Sequence, residues 1–154
     1  MNRWIEPELL ATLDALGTGC ITFSRLAQGM LTSKYLGGIP ADARANRGGS
    51  LAQNALSDQT LAAIRTLNDI AGQRGQALTQ KAIAWVLRDT RMTSALIGAR
   101  TVEQLDDFLD AVNNLKFSQE KLASIDRAGE DGGINLWTVS SENVTLPSLQ
   151  GVLA

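Results

Sequence analysis

An α/β fold with a parallel sheet follows from three features of the 154-residue chain. Two short apolar runs flanked by glycine, Gly19 to Phe23 and Thr93 to Gly98, have the makeup of strands from a parallel sheet, whose strands are apolar on both faces. Between and after them lie segments with apolar residues three and four apart, the spacing of helices that cover such a sheet. Only these two strands are evident, and two parallel strands leave most of their edges unpaired. The chain therefore reads as part of a sheet protein, predominantly helical, rather than a whole one.

The elements can be justified in order. Pro7 is pre-set for a first helical position, Leu9, Leu10, Leu13 and Leu16 form a stripe, and Gly17 suits the left-handed backbone that ends a helix. The first strand follows, with Cys20 expected as a small buried hydrophobe. Residues 24 to 57 hold Gly29, Gly37, Gly38, Pro40, Gly48 and Gly49, and only Met30 to Tyr35 has the makeup of a helical turn. After Ser57 and Asp58, Leu61, Ile64, Leu67, Ile70 and Ala71 define a helix ending near Gly72 and Gly75. Thr79 is positioned to cap another, whose Ala82 to Leu87 run is apolar nearly all round and so expected to be deeply buried. Beyond the second strand, Thr101 and Gln104 stand in capping-box spacing before Leu105, Phe108, Leu109 and Val112. Ser118 caps a last helix with Leu122 and Ile125, and the tail after Gly132 and Gly133 fades into a polar end.

Composition excludes several classes of function. The chain has no histidine, which removes Ser-His-Asp and Cys-His catalysis and histidine-based metal sites. Cys20 is the sole cysteine, so there is no internal disulfide framework. A net charge of −2 gives no electrostatic footprint for nucleic acid, which disfavours reading residues 61 to 89 as a helical DNA-binding module. No apolar run reaches the roughly 20 residues of a membrane span, and Glu6 and Pro7 interrupt any signal-peptide core. The cytoplasm is the expected location.

Few residues carry obvious chemistry. Tyr35 reads as a packing aromatic, and Asp106, Asp107 and Asp110 as a solvated helix face. The stronger signal is for an anion. Gly98 and Arg100 precede the helix start at Thr101, so backbone N–H groups, the positive end of the helix dipole and a guanidinium meet directly after a strand. Lys34, in the loop after the first strand, can add a second positive charge.

Together these residues resemble the aldo-keto reductase family. Phe23-Ser24-Arg25-Leu26-Ala27-Gln28-Gly29 is similar to the family's Ser-Pro-Leu-Ala-x-Gly segment after the seventh barrel strand. Leu96 to Leu105 is similar to its eighth strand and cofactor-binding helix start; the Ala82 to Arg88 run and Asn113-Asn114-Leu115 match as well. The nearest branch contains bacterial glyceraldehyde 3-phosphate reductases and potassium-channel β subunits.

The resemblance implies a partial (β/α)8 TIM barrel: the last two βα units, the C-terminal helix and a tail, beginning just after the sixth strand. Residues 1–141 would be this part of the barrel and 142–154 a polar, flexible tail. A whole barrel typically takes about 250 residues. The family's tetrad of aspartate, tyrosine, lysine and histidine would lie in the absent first half, so a truncated, inactive chain is expected.

Cofactor contacts are implied residue by residue. Phe23, Ser24, Leu26 and Gln28 would lie along the pyrophosphate and ribose of NADP(H), and Lys34 would reach its phosphates. Gly98, Arg100 and Gln104 would surround the adenosine 2′-phosphate, with Asp107 near the adenine. Two departures weaken this binding: Arg25 stands where the family has proline, and Phe108 where an asparagine contacts the adenine. Trp137 matches a segment that shapes the substrate pocket, with core packing an equal reading.

The expected substrates are small aldehydes and ketones. The alternative is a non-catalytic module that docks on an N-terminal half or homologous subunit by strand addition. An unstable product without a role is the third reading.

Overall fold

The computed structural model describes residues 3, 5–24, 26–40 and 56–129. Helix α1 (Leu9–Ala15) leads into strand β1 (Cys20–Thr22), and a long connection with 3₁₀ turns at Ala27–Gly29 and Ser33–Tyr35 precedes α2 (Asp58–Gly72). Then come α3 (Leu78–Leu87), strand β2 (Met92–Ala95), α4 (Val102–Leu109), a 3₁₀ turn at Asp110–Asn114, and α5 (Gln119–Ala128). The two strands pair in parallel, as the sequence reading requires. The expected tail and residues 41–55 lie outside the described residues.

Helix α2 shows why the periodicity is informative. The Ser57 hydroxyl accepts the Thr60 N–H at 3.2 Å, satisfying a donor that no helical carbonyl can reach. All five residues of its stripe are buried. Leu61, Ile64, Leu67 and Ile70 form the core with Leu78 and Ala82 of α3 and Ile125 of α5. Met30, Leu31 and Tyr35 join it from the connection, so residues 30–35 are anchored by apolar burial. Tyr35 packs there as expected, 2% exposed.

The structure differs from four expectations. The strands are only partly buried: Met92 of β2 is buried, but Ile21 is 66% exposed and Leu96, just past β2, 62%. Cys20 is half-buried. Each strand has a single neighbour among the described residues, so the covering that apolar strands require is incomplete. Thr79 is not a cap. Ala77 is the N-cap of α3, and Gln80 Oε1 accepts its N–H at 2.8 Å, so the side chain at the third helical position does the capping. The run in α3 is buried through Ala84, but Trp85, Val86 and Leu87 are half-buried. Trp85 has Arg88 over its ring at 3.8 Å and Arg3 at 5.0 Å. Arg3 also pairs with Glu6 at 2.6 Å and Asp126 at 2.7 Å, tying the chain's start to α3 and α5.

A clasp joins the α2–α3 turn to the segment before α5. Arg74 donates to the carbonyls of Asn114 and Lys116, each at 2.7 Å, while its guanidinium lies 3.5 Å from the centre of the Phe117 ring. Asn114 Nδ2 returns a bond to the Arg74 carbonyl at 3.2 Å.

The strand pairing slips between Cys20 and Ile21, leaving Thr93 without a partner in the ladder. Its hydroxyl fills the gap by accepting the Cys20 N–H at 3.0 Å. A Cβ on Gly19 would meet that hydroxyl oxygen at 2.7 Å. Gly19→Ala is therefore expected to cost about 1–3 kcal/mol, since either the hydroxyl or the strand must move. Urea denaturation of the two proteins measures it.

Candidate functional site

Parallel pairing places the C-terminal ends of β1 and β2 side by side, with Thr22 opposite Ala95. The Leu96 N–H extends the ladder by donating to the Thr22 carbonyl at 2.9 Å. The two segments singled out by sequence, Phe23 to Gln28 and Leu96 to Thr101, consequently leave the sheet from one end. Crevices at the carboxyl ends of parallel strands are where open α/β sheets bind ligands.

The first segment is unusually bent. Ser24, Ala27 and Gln28 all have positive φ (56°, 47° and 58°), and Gly29 follows at 97°. Left-handed backbone at non-glycine residues is sterically disfavoured and costs on the order of 1–3 kcal/mol each. The turn is held by Ala27 N–H donating to the Ser24 carbonyl at 2.8 Å and by the Leu26 carbonyl, which accepts from Gly29 and Leu31. Leu26 packs against the core while Phe23 remains 58% exposed. Arg25 lies outside the described residues.

Lys34 is exposed in the next turn, its ammonium 5.8 Å from the centre of the Tyr35 ring. Its N–H donates to the Thr32 hydroxyl at 3.3 Å.

The second segment carries the start of α4. Gly98 and Arg100 are exposed, and nothing stands within 4 Å of a Cβ built on Gly98. The sequence reading expects free N–H groups here. Instead, Gln104 N–H donates to the Thr101 hydroxyl at 3.3 Å, and Gln104 Oε1 accepts the Arg100 N–H at 3.0 Å. Glu103 is held below the usual carboxylate range by its own backbone N–H and by the Thr101 hydroxyl. The Thr101 and Gln104 side chains thus take up two backbone donors at the helix start, and Arg100 is exposed beside them.

Asp107 is half-buried rather than part of a solvated face. It accepts from Thr79 Oγ1 at 3.0 Å and Gln80 Nε2 at 2.9 Å, tying α4 to α3. Phe108, beside it, is half-buried. Trp137 lies outside the described residues. Among the described residues there is no cluster of three or more metal-ligating side chains, and no helix is long and apolar enough to cross a membrane.

Sequence reasoning missed one unusual group. Lys81 is 2% exposed, and its pKa is lowered from 10.5 to about 8 by burial and then by the nearby Arg74 charge. The signal was available: Lys81 falls on the buried face of α3, three residues after Leu78 and four before Trp85.

The family model for the aldo/keto reductases matches residues 1–130. The chain belongs to the aldo/keto reductase family. Membership implies descent from a (β/α)8 barrel fold, of which two parallel strands are seen among the described residues. The chain is 48% identical over 147 residues to an L-glyceraldehyde 3-phosphate reductase of Escherichia coli K12, covering 92% of this chain and 42% of that protein. It is 37% identical over 112 residues to a probable voltage-gated potassium channel subunit beta of Oryza sativa, covering 71% of this chain and 34% of that one. The chain thus spans less than half the length of these curated relatives.

Proposed function

We propose that this chain is the cofactor-side, C-terminal part of an NADP(H)-dependent aldo-keto reductase acting on small aldehydes and ketones, and that alone it binds the cofactor weakly and does not turn over. The observation that carries this reading is the shared end of β1 and β2, from which both segments of the inferred nucleotide cradle emerge. Phe23, Ser24, Leu26 and Gln28 form the pyrophosphate and ribose side, with Lys34 as a cation for the phosphates. Gly98, Arg100 and Gln104 form the pocket for the adenosine 2′-phosphate. Asp107 borders the adenine while also bracing α4.

The residues fit the anionic end of the cofactor. Arg100 offers a planar fork suited to a phosphate dianion, and the open space over Gly98 admits one. When bound, NADPH supplies the hydride; the chain's residues hold and orient its phosphates. A chain without histidine cannot complete a tetrad that includes one, so protonation of the carbonyl oxygen has no assigned donor here.

Calorimetric titration with adenosine 2′,5′-bisphosphate and with AMP tests the reading. The bisphosphate is expected to bind at least tenfold more tightly, and Arg100→Ala to abolish that preference while leaving AMP binding unchanged, consistent with one charge-assisted contact of about 1.5–3 kcal/mol. Equal affinity of the unaltered chain for both nucleotides would contradict it.

A further inference from the structure

Of Asp106, Asp107 and Asp110, only Asp107 is held from another helix. Asp106 and Asp110 are exposed, whereas Asp107 is half-buried and accepts from Thr79 Oγ1 at 3.0 Å and from Gln80 Nε2 at 2.9 Å. Each carboxylate oxygen takes one of the two α3 donors, which fixes the plane of the group as well as its place. Gln80 is itself held at both ends. Its Oε1 accepts the Ala77 N–H at 2.8 Å, so the amino end of the amide is committed to Asp107. Both donors are neutral, and among the described residues Asp107 has no ion-pair partner. A carboxylate has about four acceptor sites, so two neutral donors leave it both charge and acceptor capacity. Asp107 also follows Gln104 by one turn of α4, and Gln104 is the side chain that holds the Arg100 N–H.

We propose that Thr79 and Gln80 are positioning residues for base selection: they hold the Asp107 carboxylate so that its remaining acceptor sites take the exocyclic amino group of an adenine. This deepens the nucleotide reading above and rests on it. Adenine presents an amino donor where hypoxanthine presents a carbonyl oxygen, which a carboxylate repels. A carboxylate already fixed by α3 loses no rotamer freedom when the base arrives, and this pre-organisation contributes roughly three- to tenfold in affinity.

Calorimetric titration of the full chain with adenosine 2′,5′-bisphosphate and with inosine 2′,5′-bisphosphate tests it. The unaltered chain is expected to prefer adenosine by about tenfold, as one hydrogen bond to a charged group allows. Thr79→Val keeps the side-chain shape and removes the hydroxyl. It is expected to lower the base preference roughly three- to tenfold, and Thr79→Ser to restore it. Gln80→Glu keeps an oxygen for the Ala77 N–H but loses the donor to Asp107, and is expected to lower the preference likewise. In all three variants the preference for adenosine 2′,5′-bisphosphate over AMP should hold within about twofold, because Arg100 carries it separately. In Asp107→Ala the base preference is expected to vanish, and adding Thr79→Val to change nothing further. Equal weakening of both nucleotides by Thr79→Val, with the base preference intact, would mean a role in stability alone and overturn the inference. An unaltered chain indifferent to the base, or a Thr79→Val effect that persists in Asp107→Ala, would overturn it too. If the bisphosphate is still favoured over AMP, these results remove only the positioning role; an unaltered chain that lacks that preference overturns the nucleotide reading as well.

Discussion

Lys81→Met is expected to stabilise the chain by about 3 kcal/mol at pH 7, which is large against a typical domain stability of 5–15 kcal/mol. The reason is the cost of enclosing an ammonium. Burial first and the Arg74 charge second together lower the pKa of Lys81 from 10.5 to about 8, so Arg74 adds to the cost rather than offsetting it. Below pH 8 the lysine is charged in both folded and unfolded chains, so the penalty is fully present. Between pH 8 and 10.5 the unfolded chain binds more protons than the folded one, so stability rises with pH. Above 10.5 the lysine is neutral in both states and the penalty is gone. Urea unfolding at stepped pH should therefore show a rise across that window in the native sequence. The same titration of Lys81→Met should lack that rise, because methionine has similar length and no charge to desolvate. A methionine variant less stable than the native chain at pH 7 would mean that the ammonium has a compensating partner.

Arg74→Ala carries the second large effect, in the opposite direction. It removes two charge-assisted bonds to the carbonyls of Asn114 and Lys116 and the stacking over Phe117. A loss of about 2–3 kcal/mol is expected, since hydrogen bonds to charged groups contribute more than neutral ones. Arg74→Lys should recover little of it, because an ammonium cannot present the guanidinium fork to two carbonyls while stacking on a ring. The two sites are coupled. Without the Arg74 charge, Lys81 loses one of the influences lowering its pKa, so the alkaline rise should move toward higher pH. Chemical denaturation of both variants across pH 7–11 reads both effects.

Much of this molecule is legible in residue spacing. The stripe of α2 and its Ser57 cap specify a helix that buries all five predicted positions, because periodicity, cap and end signals agree. Ser118 likewise caps α5, accepting the Lys121 N–H at 3.3 Å. The family motifs also locate the two segments that the strands bring to one end.

What was not legible depends on neighbours. The strand runs of Ile21 and Leu96 have the composition of buried strands, but burial requires layers that a local pattern cannot count. At α3, Thr79 is the better capping residue by type, yet Gln80 caps Ala77 from inside the helix, leaving the Thr79 hydroxyl for Asp107. Left-handed φ at Ser24, Ala27 and Gln28 leaves no mark in residue type, since none of them is glycine or asparagine. At the start of α4 the spacing of Thr101 and Gln104 specifies the cap, and what it does not specify is that Gln104 Oε1 reaches the Arg100 N–H.

On the proposed function, this chain holds part of a nucleotide site and lacks the groups that would complete a reductase. The most direct test is NADPH oxidation followed by absorbance with the purified chain and a panel of small aldehydes, catalysis being turnover above the uncatalysed rate. The expected result is no aldehyde-dependent oxidation, alongside measurable binding of the adenosine bisphosphate. Sustained aldehyde-dependent turnover by the isolated chain would contradict the account.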